Sequence, residues 1–113
     1  MTATLPPVIV EALGAFHASL ERRFGARVRE VTLFGSVARG EATEESDVDV
    51  LVVIDDVDAT ERSAVYDLAY DAGARGDELV VVSPLVWTTT QAADIRARER
   101  RITREIARDG VPL

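Results

Sequence analysis

The chain has 113 residues and a formal net charge of −7, which suits one domain with a single modest core. It contains no cysteine, so disulfides and thiolate metal sites are excluded. All 13 basic residues are arginine and His17 is the only histidine, which excludes a P-loop lysine and a histidine-rich zinc site. The 20 acidic residues instead suit a hard cation with oxygen ligands. The negative net charge disfavours a large nucleic-acid-binding surface, because phosphate backbones are bound by basic residues.

The first predicted element is an amphipathic helix. Apolar residues recur at helical spacing from Ile9 to Phe24, and Gly25 ends the pattern. No window of the sequence is apolar enough to span a bilayer, and the N-terminus lacks the basic-then-apolar pattern of a secretory leader. We therefore expect a single cytoplasmic domain that covers residues 1–113, with no membrane partner.

Two strands follow this helix. Residues 28–34 predict the first strand, Ser36 to Gly40 a short helix, and residues 41–46 a polar loop. Residues 47–54 predict the second strand. After its two aspartates, this segment is apolar on both faces, which is typical of a central strand covered by helices on both sides.

The next segment begins with a helix start signal. Asp58 and Glu61 have the spacing of a capping box, and Gly73 ends the helix that they begin. Residues 79–82 predict a third strand, which Pro84 interrupts because proline cannot donate to a strand ladder.

A last helix of about 18 residues is predicted after Trp87, with Gly110 at its end. Its many arginines fit either a solvated face with compensating acids or a docking face for an acidic partner. The order of elements predicts the α/β class, with a small mixed β-sheet flanked by helices.

Two short motifs carry the chemistry of the chain. Asp47 and Asp49 are one residue apart at a strand start, so both carboxylates point to the same side and can share a divalent cation. Gly35 and Ser36 stand where a strand leads into a helix, and free N–H groups at such a position favour a phosphate. Taken singly, these residues are more often structural: a Gly-Ser pair after a strand is usually a turn, and an aspartate at a strand start is usually a solvated or capping residue.

The combination resembles a known signature. Gly35-Ser36, ten further residues and Asp47-Val48-Asp49 are similar to the motif of the nucleotidyltransferase superfamily that includes polymerase β. The segments 36–40 and 46–50 resemble the minimal bacterial and archaeal members of this superfamily. The resemblance implies a polymerase β palm-like fold and an Mg²⁺-dependent transfer of a nucleoside monophosphate. The expected reaction moves AMP from ATP to a hydroxyl acceptor.

The resemblance also implies a role for each motif residue. Asp47 and Asp49 would hold Mg²⁺, and the planar guanidinium of Arg39 would face the phosphate oxygens. The expected nucleotide-binding residues are Gly35, Ser36, Arg39 and Ser46.

Relatives that use two metals carry a third carboxylate on the next strand. Glu78 is the first choice for this catalytic and metal-binding position, and Asp77 is the second. A solvated strand start is the alternative for both residues, because only the strand register decides which side chain faces the site.

The acceptor is expected to be a protein, since minimal members of the family often act on a small all-helical HEPN-type partner in toxin–antitoxin pairs. One alternative is a catalytically weak module of the same fold that neutralises its partner by contact. A more distant one is a transferase for aminoglycoside-like small molecules, which would need a second domain or a dimer to enclose its acceptor. The sequence leaves the base preference and the oligomeric state open.

Overall fold

The computed structural model describes residues 5–41, 47–75, 78–98 and 101–113, without the side chains of Arg75 and Glu78. In chain order, the helices and strands are α1 (Pro7–Phe24), β1 (Val28–Phe34), α2 (Gly35–Ala38), β2 (Val48–Ile54), α3 (Ala59–Gly73), β3 (Ala74–Arg75), β4 (Glu78–Leu79), β5 (Val82–Thr88), α4 (Thr89–Ala97), α5 (Arg101–Asp109) and β6 (Val111–Pro112). A 3₁₀ turn at Gly25–Arg27 joins α1 to β1. Within these ranges, none of the helices combines the length and the apolar character that a bilayer crossing requires.

Four strands form one mixed sheet in the order β5-β2-β1-β6. Strand β1 runs antiparallel to β2 and to β6, whereas β2 and β5 are parallel. Every residue of β2 except Asp49 is buried, as expected for a strand that is covered on both faces. The predicted α/β class, with the second strand in a central position, is therefore confirmed.

Helices α1 and α3 cover one face of the sheet. Phe16 and Leu20 of α1 are fully buried against alternate residues of β2, Val50 and Val52, and Val65 of α3 joins the same cluster. Fully burying an apolar side chain of this size stabilises a fold by about 1.5–3 kcal/mol. The apolar face of α1, which the helical spacing predicts, is thus buried in the larger of the two hydrophobic clusters.

A smaller cluster covers the opposite face. Leu51 and Val53 of β2 pack there against Trp87, Ala92 and Ile106. These contacts fix α4 and α5 on the side of the sheet to which the side chain of Asp49 also points, since alternate residues of a strand share a face.

The prediction of a single last helix of about 18 residues is wrong. The structure has two helices of nine residues, α4 and α5. At the end of α4, the N–H of Arg98 bonds to the carbonyl groups of Asp94 and Ile95 at 3.2 and 3.3 Å. The bond to Ile95 spans only three residues, so the last turn is tightened in the 3₁₀ manner.

The predicted third strand is also wrong. The segment that joins the main sheet is β5, and Pro84 lies inside it. Among the described strands, β5 has a neighbour on one side only, and an edge strand tolerates a residue without an N–H group. Leu79 belongs instead to β4, which pairs with β3 in a separate two-stranded ladder.

Helix α3 begins with the predicted capping box. The Glu61 N–H donates to Asp58 Oδ1 at 2.7 Å, and the Asp58 N–H donates to Glu61 Oε1 at 3.2 Å. Arg27 adds two bonds to the Glu61 carboxylate, at 2.6 and 2.9 Å. From the same helix, the Arg62 guanidinium donates to the carbonyl oxygen of Val86 in β5. The start of α3 is therefore tied to the turn before β1 and to β5.

The bonds from Arg27, together with the backbone bond from Asp58, hold the pKa of Glu61 at about 2, below its ordinary value of 4.5. The stabilisation from this ionised carboxylate is complete above the unfolded-state pKa and is lost as the pH falls towards the folded-state value. We expect Glu61→Gln to lower the free energy of unfolding at neutral pH and to flatten its decline in acid. Urea denaturation between neutral pH and about pH 3 measures both effects.

Asp71→Asn is the matched control, because it neutralises an exposed carboxylate on the same helix. Its free energy of unfolding should decline in acid as steeply as that of the wild type. An equally steep acid decline in Glu61→Gln and in the wild type would contradict the stabilising role of this carboxylate.

Candidate functional site

The candidate site lies where β1 ends. Phe34, the last residue of β1, is opposite Asp49 in the ladder, and Gly35 follows with a φ of +77°. The Asp49 carboxylate lies directly against Gly35, so that a Cβ on this glycine would collide with Oδ2 and would lie 3.3 Å from Cγ. The backbone angle and the close approach of the carboxylate both require glycine here.

Asp47 and Asp49 form an acidic pair. Asp47 is exposed just before β2, and Asp49 is half-buried as the second residue of the strand. Burial raises the pKa of Asp49, and the negative charges of Asp47 and Glu105 raise it further, whereas Arg39 acts in the opposite direction. The charged form of Asp49 is thus disfavoured in the protein alone, and a cation at this position would relieve the repulsion.

The chain turns into α2 at Gly35, the first residue of this helix. The Arg39 N–H bonds to the Gly35 carbonyl at 3.2 Å, and the Glu41 N–H bonds to the Ser36 carbonyl at 2.9 Å. With only one turn, α2 has few aligned peptide dipoles. A phosphate at this bend would therefore depend on local N–H groups, the Ser36 hydroxyl and Arg39 more than on a helix macrodipole.

The Arg39 guanidinium is bonded to two carboxylates. Its Nε donates to Glu41 Oε2 at 3.0 Å, and its Nη1 donates to Glu105 Oε1 at 2.8 Å. Glu41 follows α2, whereas Glu105 belongs to α5 and lies 66 positions along the chain. The side chain of Arg39 is 28% exposed, so solvent reaches the group that the sequence assigns to the phosphates.

The acidic pair fits one magnesium ion. Mg²⁺ is commonly bound by one or two carboxylates, with water and substrate phosphates in the remaining positions. Among the residues that the structure describes, no group of three or more acids or histidines is placed to hold a metal. Asp47 and Asp49 would therefore hold the ion together with phosphate oxygens.

Some of the other predicted site residues lie outside the part of the chain that the structure describes. Ser46 and Asp77 are outside the described residues, and Glu78 is described only by its backbone in β4. Strand β4 is not part of the main sheet, so the register argument that favoured Glu78 no longer holds. The residue of β5 in register with Asp49 is Ser83. The roles of Ser46, Asp77 and Glu78 stay predictions.

Sequence reasoning did not identify two neighbours of the pair, Ser83 and Glu105. Ser83 could not be placed beside Asp49 from the sequence, because Pro84 disfavours a strand at this point. Glu105 lies among charged residues of an arginine-rich helix, and no local pattern connects it to Arg39. Only the packing of α5 on the sheet brings the two side chains together.

A sequence model of the nucleotidyltransferase domain matches residues 15–108. The protein adenylyltransferase MntA of Thermococcus cleftensis is 49% identical over 49 residues, which cover 43% of this chain and 48% of that protein. A putative protein adenylyltransferase of Methanocaldococcus jannaschii is 46% identical over 45 residues, with coverages of 40% and 45%. The chain thus spans about half the length of these two relatives. A second putative protein adenylyltransferase of Methanocaldococcus jannaschii is 30% identical over 83 residues, which cover 73% of this chain and 82% of that protein.

The fold is similar to that in a crystal structure of a toxin–antitoxin with AMP-PNP. The TM-score is 0.57, and the alignment covers 86% of this chain and 68% of that chain. The sequences are 17% identical, so this likeness concerns the fold alone.

Gly35→Ala should destabilise the protein by about 1–3 kcal/mol, the usual cost of a strained backbone conformation. It should also weaken Mg²⁺ binding, because the new Cβ displaces the Asp49 carboxylate. Urea denaturation and Mg²⁺ titration by calorimetry measure the two effects. Gly25→Ala is the matched control: Gly25 also has a positive φ, +59°, but an added Cβ would meet nothing within 4 Å.

The control is expected to lose stability while it keeps the affinity of the wild type for Mg²⁺. Equal Mg²⁺ affinities in Gly35→Ala and Gly25→Ala would contradict the assignment of Asp49 as a ligand.

Proposed function

Because the chain belongs to the nucleotidyltransferase domain family, we propose that it transfers AMP from ATP to a hydroxyl group of a partner protein. The observation that carries this proposal is the position of the Asp49 carboxylate against Gly35, with Asp47 near enough for its charge to act on Asp49. This arrangement would bring a cation site next to a phosphate site at the bend. The names of the relatives, protein adenylyltransferases, support AMP as the transferred group and a protein as the acceptor.

The proposed reaction is an in-line displacement at the α-phosphorus of ATP. The acceptor oxygen forms a bond to this phosphorus, the bond to the bridging oxygen breaks, and pyrophosphate leaves with that electron pair. Asp47 and Asp49 would hold Mg²⁺, which neutralises phosphate charge and orients the triphosphate when it is bound. Gly35 admits the phosphates close to the backbone, and Ser36 and Arg39 donate hydrogen bonds to their oxygens.

The proton of the attacking hydroxyl needs an acceptor. We propose Glu78 for this position, with Asp77 as the second choice, because the described carboxylates provide the pair and no third metal ligand. Ser46, directly before the pair, is proposed as a further nucleotide contact.

A helical HEPN-type protein is the proposed acceptor, in a cytoplasmic toxin–antitoxin pair. Two likenesses support this partner: the resemblance of the motif to minimal nucleotidyltransferases, and the shared fold with a toxin–antitoxin structure. A second candidate function is neutralisation by contact without transfer. The acids among the described residues favour it, since they provide two carboxylates and no third ligand, and such a set holds one metal more readily than two.

Asp49→Asn should reduce the transfer of AMP at least about a hundredfold, because the metal ligand contributes several kcal/mol to transition-state stabilisation. It should not destabilise the fold, since the ionised form of Asp49 is disfavoured in the folded protein. The measurement is the incorporation of label from α-labelled ATP into the HEPN-type protein in the presence of Mg²⁺. Urea denaturation of the same samples reports on stability.

Asp94→Asn removes an exposed acid of α4 and is the charge-matched control, with expected activity equal to that of the wild type. A complex that forms without label, and forms equally well with the Asp47→Asn/Asp49→Asn variant, would support the contact module against the enzyme.

Glu78→Gln tests the third carboxylate. If this residue supplies the proton acceptor, transfer should fall about tenfold to a thousandfold while Mg²⁺·ATP binding changes little, since general-base catalysis contributes to the chemical step. Asp77→Asn in the same assay should retain activity. Unchanged transfer in Glu78→Gln would contradict the assignment of Glu78 as the proton acceptor. A loss of transfer in Asp77→Asn alone would assign that role to Asp77 instead.

A further inference from the structure

The phosphate-binding arginine of the proposed site already has anionic partners within the chain. Glu41 and Glu105 each accept a hydrogen bond from the guanidinium of Arg39. A guanidinium has five N–H donors in a fixed plane, and a donor that is bonded to a carboxylate cannot also serve a phosphate oxygen. Two of the five donors are thus already bonded to carboxylates of the chain, and a phosphate at Arg39 competes with Glu41 and Glu105 for the guanidinium.

The two carboxylates differ in how firmly they are held. Glu41 is only two positions from Arg39, and its side chain is 65% exposed. Glu105 is 33% exposed and is carried by a helix whose next residue, Ile106, is buried against the sheet. A side chain on a packed helix loses less freedom when it forms an ion pair, so Glu105 is the more persistent partner of Arg39.

Glu105 also lies close enough to Asp49 to act on its carboxylate. Its charge acts on Asp49 in the same direction as the charge of Asp47. The carboxylate of Glu105 therefore opposes a triphosphate in two ways: it occupies a donor of Arg39, and it adds negative charge beside the phosphate site.

We propose that Glu105 sets the affinity of the site for a nucleoside triphosphate, because its carboxylate holds Arg39 until a phosphate oxygen takes its place. Glu105 is thus an affinity-determining residue that acts through Arg39 and does not contact the reacting atoms. The inference rests on the proposed function, since it requires a triphosphate beside Arg39.

Glu105→Gln should bind Mg²⁺·ATP about two- to fivefold more tightly than the wild type, which is the range that exposed ion pairs contribute. Calorimetric titration with ATP in excess Mg²⁺ measures the dissociation constant. Asp94→Asn is the control, because it makes the same change in net charge at an exposed pair on α4 and should keep the wild-type affinity. Glu105→Ala is the second variant and should tighten binding in the same way.

A double-mutant cycle with Arg39→Gln tests whether Glu105 acts through Arg39. In that background, the effect of Glu105→Gln on the dissociation constant should fall to the part that the charge of Glu105 exerts on the phosphates without Arg39, since the shared partner is gone. A merely structural role of Glu105 would leave the effect in place. Thermal unfolding of all four proteins of the cycle shows that each binding measurement is made on folded protein.

Three results would overturn the inference alone. The wild type could bind ATP as tightly as Glu105→Gln or more tightly, Asp94→Asn could tighten binding equally, or the tightening by Glu105→Gln could be undiminished in the Arg39→Gln background. A wild-type protein that binds no Mg²⁺·ATP would instead overturn the proposed function, and this inference with it.

Discussion

The site depends on the antiparallel register between β1 and β2, because this register places Asp49 opposite Phe34 and hence beside Gly35. A shift of one residue would turn Asp49 to the other face of the sheet and separate the carboxylate from the bend. Both hydrophobic clusters oppose such a shift: Val50 is buried on the side of α1 and α3, and Leu51 on the side of α4 and α5. The core thus fixes the position of the site.

The elements that the sequence predicts correctly are those in which local chemistry and burial agree. Strand β2 is apolar on both faces, and the structure places it between two layers of helices. The capping box at Asp58 and Glu61 forms both of its hydrogen bonds, since its geometry requires only residues three apart. The proximity of Asp49 to Gly35 was predictable for a similar reason: the motif lies at the end of β1 and the start of β2, and consecutive strands often pair in a sheet.

The features that sequence reasoning missed all depend on long-range packing. Pro84 has a low preference for strands, but a position at the edge of the sheet makes its missing N–H harmless. The division of the last helical segment into α4 and α5 is not revealed by helical spacing alone. The bond between Arg39 and Glu105 joins residues from opposite halves of the chain, so its existence follows only from the packing of α5.

The composition of β5 has a consequence for the behaviour of the protein in concentrated solution. An exposed strand edge can recruit a strand from another molecule and begin aggregation. Residues two apart in a strand direct their backbone groups to the same side, and Pro84 and Val86 have this spacing. Pro84 has no N–H group to donate, and the carbonyl oxygen of Val86 already accepts a hydrogen bond from Arg62. Intermolecular strand pairing along β5 would therefore lose successive hydrogen bonds, which favours a molecule that remains unassociated along this edge.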